Sequence, residues 1–440
     1  MQLARLGSLP QDAPYSRDTS FPISDSCCSP ASRARVYPEV YDWNDSRRDQ
    51  AWCGIRQMTI HVGDWVEVRR KEEILATLDG NGRLDGLPLM PQMLKYCGQS
   101  FKVYKVAHKT CDTVDRTGGR RLPQGIHLDL RCDGEAYGGC QAACLLFWKE
   151  AWLKPLSGTS HAESPKLTAA DDLGQDADHV QRGCSEDDVL KATSIEDASG
   201  EKIYQCQAVR LPDFTTALPW WRVDQYVKDY TTGNTTLRQL FNGFVYSMYC
   251  TGTRAYMPKI GRPGRWLYDR FQSLRGGVPY PRHRGKLLPG ERTPIPALDL
   301  RPGQMVRVKS YEEILATLNS SNSHRGLFFD AELVPYCGGT YRVRARVSKF
   351  IDEKTGKMRL MKTPAVMLEN VWCRSRYSNH RMFCPRSIYS WWREEWLDRV
   401  EDNEGPRVPE VKEDSMGAPE QDVGACGGCE GKQRALLDVR

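Results

Sequence analysis

The sequence predicts a mixed, mainly β fold, with two small β-barrel repeats flanking a small helical middle domain. Three observations predict it. Residues 63–155 return at about 303–399, and the seven residues EEILATL at 72–78 reappear unchanged at 312–318, an offset of 240. Within each copy, short segments alternate apolar and polar residues as half-buried strands do. Between the copies, apolar side chains fall at helical spacing. Two copies are too few for a solenoid, so they are expected to be two domains, at 58–155 and 300–400.

The elements follow in order. Residues 1–57 are rich in Ser, Pro, Asp and Arg and are expected to be disordered. Met58 is an alternative start of translation. In GDWVEV, Trp65, Val66 and Val68 mark a strand, and KEEILATL places Ile74, Leu75 and Leu78 on one helical face. A Gly-rich loop leads through MLKYCG into the strand FKVYKV, and Ile126, Leu128, Leu130 and Cys132 follow at strand spacing. The copy closes on CQAACLLFWKEAWLKP. In the second copy GQMVRV stands for GDWVEV, Tyr336-Cys337-Gly338 for Tyr96-Cys97-Gly98, and WWREEWL for FWKEAWL.

Residues 156–200 carry ten Asp or Glu against three Lys or Arg and are expected to form a solvated linker. In residues 201–290 three helices are expected. Trp220, Trp221, Val223, Tyr226 and Val227 mark the first. Leu237, Leu240, Phe241, Phe244, Val245 and Met248 mark the second, with Asn234 or Thr235 as N-cap. Trp266, Leu267, Tyr268 and Phe271 mark the third. The tail from 401 is acidic and Gly-rich, and is expected to be disordered.

The GDxVxV opening, the short strands and the closing Trp-x-Glu-x-Trp-Leu segment together resemble SH3-like barrels, as in the β subunit of nitrile hydratase. The likeness covers about 90 residues in each copy. It implies a fold and carries no activity with it.

The chain has 16 cysteines. The N-terminal MQLARLGSLPQDAPYS lacks the apolar run of a secretion signal, and no stretch has the length of a membrane span, so the expected compartment is the cytoplasm. In that reducing setting, clustered cysteines bind metal or fill core space. The first copy offers Cys97, Cys132, Cys140 and Cys144. The second offers Cys337, Cys373, His380 and Cys384. Zinc is the expected metal, in a closed structural tetrahedron, with an Fe–S cluster as the lesser choice. Anchoring on the closing tryptophans pairs Cys140 with Cys384 and Cys144 with Ile388, whereas anchoring on ligand type pairs Cys140 with His380 and Cys144 with Cys384. Cys426 and Cys429 form a lone CxxC.

Residues 254–310 hold 13 Lys or Arg against three acidic residues. Arg262, Arg265, Arg270, Arg275, Arg282 and Arg284 alternate with aromatics, a pattern suited to nucleic acid, a nucleotide-sugar, an acidic glycan or a phospholipid surface. The favoured structural expectation is that Trp266, Leu267 and Phe271 pack inward and the arginines form a wet face. No P-loop, GxGxxG, GxSxG or HExxH occurs. The duplicated Glu72-Glu73 and Glu312-Glu313 suit a first helical turn.

These features predict a non-catalytic binding or scaffolding protein with two metal-stapled repeats and a protein or anionic partner. A rival expectation is an enzyme or accessory subunit whose first copy is active through Cys111 and His108. A third is anionic-ligand binding through residues 262–286.

Overall fold

The first half builds outward from β1 (Trp65–Val68), whose Val66 and Val68 are buried. α1 (Lys71–Leu75) follows, and Ile74 plugs it into the core. Thr77, just beyond, donates to the Ile74 carbonyl at 2.6 Å and accepts from the Trp152 indole at 3.0 Å. This pin ties the EEILATL segment to the closing tryptophan. β2 (Arg83–Leu84) and β3 (Leu87–Pro88) form a short hairpin, and β4 (Ser100–Val106), β5 (Lys109–Cys111), β6 (Gly119–Arg121), β7 (Gly125–Leu128), β8 (Trp148–Lys149) and β9 (Leu153–Pro155) complete the half. These elements come from a computed structural model that describes residues 60–156, 184–291, 293, 298–378 and 380–400. The described residues belong to one unit of the chain. Expectations for residues 1–57, most of the linker, Cys426, Cys429 and the tail lie outside them.

The middle segment opens with α2 (Glu186–Lys191), β10 (Ser194–Glu196), β11 (Lys202–Tyr204) and β12 (Thr216–Leu218). The helices α3 (Asp224–Thr231), α4 (Leu237–Gly252) and α5 (Arg262–Arg275) follow. The second half contains β13 (Met305–Val308), α6 (Tyr311–Thr317), the hairpin β14 (Ser323–His324) and β15 (Leu327–Phe328), and the long strands β16 (Thr340–Ile351) and β17 (Met358–Trp372). It ends with β18 (Tyr389–Trp392) and β19 (Leu397–Arg399).

Both halves form open antiparallel sheets of five strands, in the orders β8-β7-β4-β1-β9 and β18-β17-β16-β13-β19. Their registers keep the sequence offset: Trp65 pairs with Lys102, and Met305 with Arg342. The pin also repeats, with the Trp396 indole 2.9 Å from the Thr317 hydroxyl. Each half has its own buried core, one around Trp148 and Trp152, the other around Trp392 and Trp396.

The halves exchange arms. The β5–β6 hairpin reaches the loop around residues 380–387 of the second half. There the Cys111 amide donates to Cys384 Sγ at 3.1 Å. In return, the ends of β16 and β17 reach the loop around residues 138–144 of the first half. There the Ile351 amide donates to Cys140 Sγ at 3.4 Å, and the Gln141 amide to the Lys349 carbonyl at 3.1 Å. Where the arms meet, Thr113 donates to Glu353, and the buried Arg386 binds both, at 2.6 and 3.2 Å. The geometry also chooses between the two cysteine alignments. The Cys132 amide donates to the Cys144 carbonyl and the Cys373 amide to the Ile388 carbonyl, both at 2.8 Å. Ala143 and Ser387 share a left-handed backbone, with φ of 48° and 43°. Ile388 therefore occupies the place of Cys144, and Cys384 that of Cys140.

Four local expectations are corrected. Residues 184–200 fold rather than remaining a solvated linker, because Ser185 and Asp188 form a capping box over α2 and Val189 is buried. α3 starts at Asp224, after the exposed Trp220 and Trp221. The N-cap of α4 is Thr236, reciprocally bonded to Gln239, while Asn234 instead bonds the Val106 backbone at 2.9 and 2.7 Å. Within residues 201–290 the three helices begin only at Asp224. The stretch before them gives β12 to the sheet of β5 and β6, and lends Gln207 to the first core, where it bonds the Phe147 backbone.

Candidate functional site

The arm exchange brings together two groups of thiols, the first around a cavity. Cys132, Cys140, Cys144 and Cys206 line one cavity of about 30 Å³, with Tyr137, Phe147, Ile351 and Arg386. β7 and the turn after it deliver Cys132, and the loop at 138–144 delivers Cys140 and Cys144. Cys206 comes from the middle segment, after β11. The Gln92 amide points at Cys132 Sγ from 3.2 Å. Burial pushes the Cys132 thiol up to about 12 and Cys206 up to about 11, and it pushes Cys144 well above its ordinary value. Without a cation, these groups are neutral thiols at pH 7. Among the described residues, no group of three or more His, Cys, Asp or Glu stands in an arrangement that holds a metal ion.

The second group is Cys111, Cys373 and Cys384, close enough to influence one another's charge. The Cys111 thiol donates to Cys384 sulfur, which with burial raises Cys111 well above its usual range. That hydrogen bond is also the main reason why Cys384 falls to about 7, helped by the Arg386 amide and guanidinium. Cys373 sits 3.5 Å from the Ser375 hydroxyl, and its thiol is pushed up by burial.

The predicted ligand sets are thus regrouped. Cys132, Cys140 and Cys144 do meet. Cys97 does not line their cavity; it follows the turn at Pro91–Tyr96, and its charged neighbours are Lys71, Glu72 and Glu186. Cys206 takes the fourth place. The tripeptide Cys206-Gln207-Ala208 repeats Cys140-Gln141-Ala142, a signal present in the sequence. In the second half, Cys337 turns back toward the Leu333 carbonyl, and His380 is exposed with its ring 5.8 Å from Trp220. Neither joins Cys373 and Cys384. Cys111 does, and it comes from the opposite half.

The candidate pair Cys111 and His108 does not form a catalytic dyad. His108 is buried, its Nδ1 accepts from Asn234 at 3.5 Å, and its Nε2 hydrogen lies between Gln225 O at 3.3 Å and Asp229 Oδ1 at 3.2 Å. The contact to the Gln225 carbonyl satisfies hydrogen-bond geometry, whereas Asp229 Oδ1 has only proximity. Next to it, Lys109 and Asp229 form a buried ion pair at 2.6 Å. Both serve to dock α3 on the first arm.

The basic segment divides. Arg265 donates to the carbonyls of Ala255, Met257 and Pro258 and so closes the turn after α4. Arg282 holds the Tyr377 carbonyl at 2.7 Å, and Arg275 packs on the Phe271 ring. Arg262, Arg270 and Arg284 are exposed. The expected inward packing of Trp266, Leu267 and Phe271 is overturned: they are 68%, 54% and 51% exposed. α5 turns Tyr268 inward instead, against Tyr246, Tyr249 and Tyr280. Because Tyr268 already fills the interior contact, the remaining apolar side chains of α5 face water. The same holds for Leu237, Phe241, Val245 and Met248 on α4, and for Val223, Val227 and Tyr230 beside α3.

No protein-family model matches the chain, and no curated protein matches it.

Proposed function

We propose that this chain is a non-catalytic binding or scaffolding protein in which two copies of an SH3-like barrel, locked by exchanged arms, present the helices α3–α5 to a partner. One observation carries the reading: three successive helices turn apolar stripes to solvent, and such patches mark interaction surfaces. The strand order, with the last strand of each half beside the first, supports the SH3-like assignment, and the parallel registers support duplication. The test is a photo-crosslinking amino acid placed singly at Phe241, Trp266 and the exposed Leu360 of the full chain in its own cells. Adducts at 241 and 266 with none at 360 are expected. Equal labelling at all three positions sinks the docking face.

A second reading concerns the metal staple. Four thiols around one cavity are the donor count that zinc takes. Holding an ion in the first cavity requires Cys132, Cys140, Cys144 and Cys206 to rotate inward and lose their protons. Elemental analysis of chain purified under reducing conditions tests it. One zinc per chain, lost in Cys206→Ser and retained in Cys97→Ser, is the expected result. A metal-free chain removes the staple.

A further inference from the structure

Resting on that docking reading, we infer that the occupant of the helical face is an anionic phospholipid bilayer, met at its surface. The first argument is the shape of the apolar pattern. α4 is apolar on both sides. Inward it presents Gly243, against which the Phe383 ring is packed, together with Tyr246 and Cys250. Outward it presents Leu237, Phe241, Val245 and Met248. A second apolar stripe on the water side of a helix, beside polar Arg238 and Asn242, marks an interaction surface. α3 and α4 adjoin through the Tyr226 and Phe244 rings, 5.0 Å apart, and α4 and α5 adjoin through Tyr249 and Tyr268, 5.7 Å apart. The three helices are therefore neighbours in order, each with its own exposed apolar stripe, and Trp220 and Trp221 are exposed ahead of α3.

The second argument is charge. Residues 219–286 contain twelve Lys or Arg and three Asp. Each Asp is already matched. Asp224 pairs with Arg121 at 2.6 Å, Asp229 with Lys109 at 2.6 Å, and Asp269 with His283 at 2.7 Å. Lys286 pairs with Glu312 and Arg222 with Asp224, and the exposed Arg262, Arg270, Arg275 and Arg284 leave the segment with a positive surplus beside its apolar stripes. A second copy of the chain would set these positive charges against one another. An anionic bilayer receives the apolar stripes among its acyl chains and the arginines among its headgroups, with tryptophan at the boundary. Among the described residues, no helix is long and apolar enough to cross a membrane, so the contact is one of lying on the surface.

The experiment is co-sedimentation of the full chain with vesicles of pure phosphatidylcholine and with vesicles containing one third phosphatidylglycerol. Binding at least tenfold stronger to the anionic vesicles, weakened at high salt, is expected. Each basic side chain at an anionic surface strengthens binding on the order of fivefold. The double variant Arg262→Gln/Arg270→Gln should therefore lose roughly 25-fold. The triple variant Phe241→Gln/Met248→Gln/Leu267→Gln alters only exposed side chains and should no longer sediment with either vesicle, whereas Leu360→Gln should behave as the parent. Equal binding to both vesicle types, or undiminished binding by the triple variant, overturns the inference. If vesicles fail and light scattering shows a dimer that the triple variant dissolves, the occupant is a second copy. The lipid inference then falls while the docking face stands. If vesicles fail and the crosslinker at Phe241 finds nothing, both fall.

Discussion

Removing Asp229 should be among the most damaging single changes in the molecule. Its carboxylate is fully buried and lies 2.6 Å from Lys109 Nζ, itself only 4% exposed. The ammonium also donates to the Met382 carbonyl at 3.0 Å and to Gln225 at 3.4 Å, and lies 4.9 Å from the Tyr226 ring centre. It thus joins the first arm, α3 and a loop of the second half. Burial pushes the Lys109 pKa down, and the Asp229 charge opposes that shift. In Asp229→Ala the opposition is gone and a buried cation is left uncompensated, which costs about 3–5 kcal/mol. The double variant Lys109→Met/Asp229→Leu removes both charges and should recover most of that loss. Urea unfolding of the full chain followed by tryptophan fluorescence measures both. The pH dependence has a definite sign. In Asp229→Ala the folded state sheds the Lys109 proton at a lower pH than the unfolded chain does. The folded state therefore binds fewer protons, and the deficit shrinks as pH rises toward the unfolded lysine value near 10.5. A loss below about 1 kcal/mol, or a deficit that grows with pH, would refute the burial argument.

Three further outcomes follow from neighbouring features. Burial raises the Glu332 carboxyl to about 7 against an ordinary value of 4.5, so its proton stabilises the fold below pH 4.5 and that stability is lost as pH rises to 7. The span is worth at most about 3 kcal/mol, and Glu332→Gln should flatten the stability–pH curve across it in chemical denaturation. Gly86→Ala should cost more than Gly326→Ala. Both have φ near +77°, but only at residue 86 does the new Cβ fall 2.6 Å from a backbone oxygen, that of Asp213. Equal melting temperatures would sink that comparison. Cys111 should alkylate slowly at pH 7.5, since its thiol is held protonated by burial and by its bond to Cys384. Fast labelling of Cys111 in peptide mapping would reopen the enzyme hypothesis.

Much of the local structure was legible in the sequence because strands and helices announce themselves by period. Val66 and Val68 alternate into β1, Ile74 and Ile314 fix the short helices, and the outer stripe of α4 follows its own spacing. The regular offset between the halves also located Cys132 opposite Cys373. What the periodicity lacks is direction. The helical spacing of Trp266, Leu267 and Phe271 marks one face of α5 but does not say that Tyr268 takes the interior and leaves that face in water. Nor does spacing state which half an arm visits. Cys111 meets Cys384 across 273 positions, and Cys140 meets Ile351 across 211. Cys206 enters the first cavity from the middle segment, and its repeated Cys-Gln-Ala tripeptide marks it in the sequence without saying which thiols it meets. The sequence by itself determined the elements, their duplication in order, and the inventory of thiols and charges, because those depend on neighbours along the chain. Only the tertiary structure decided which thiols come together and which apolar face is left uncovered, because both depend on loops closing over hundreds of residues, for which no local pattern exists.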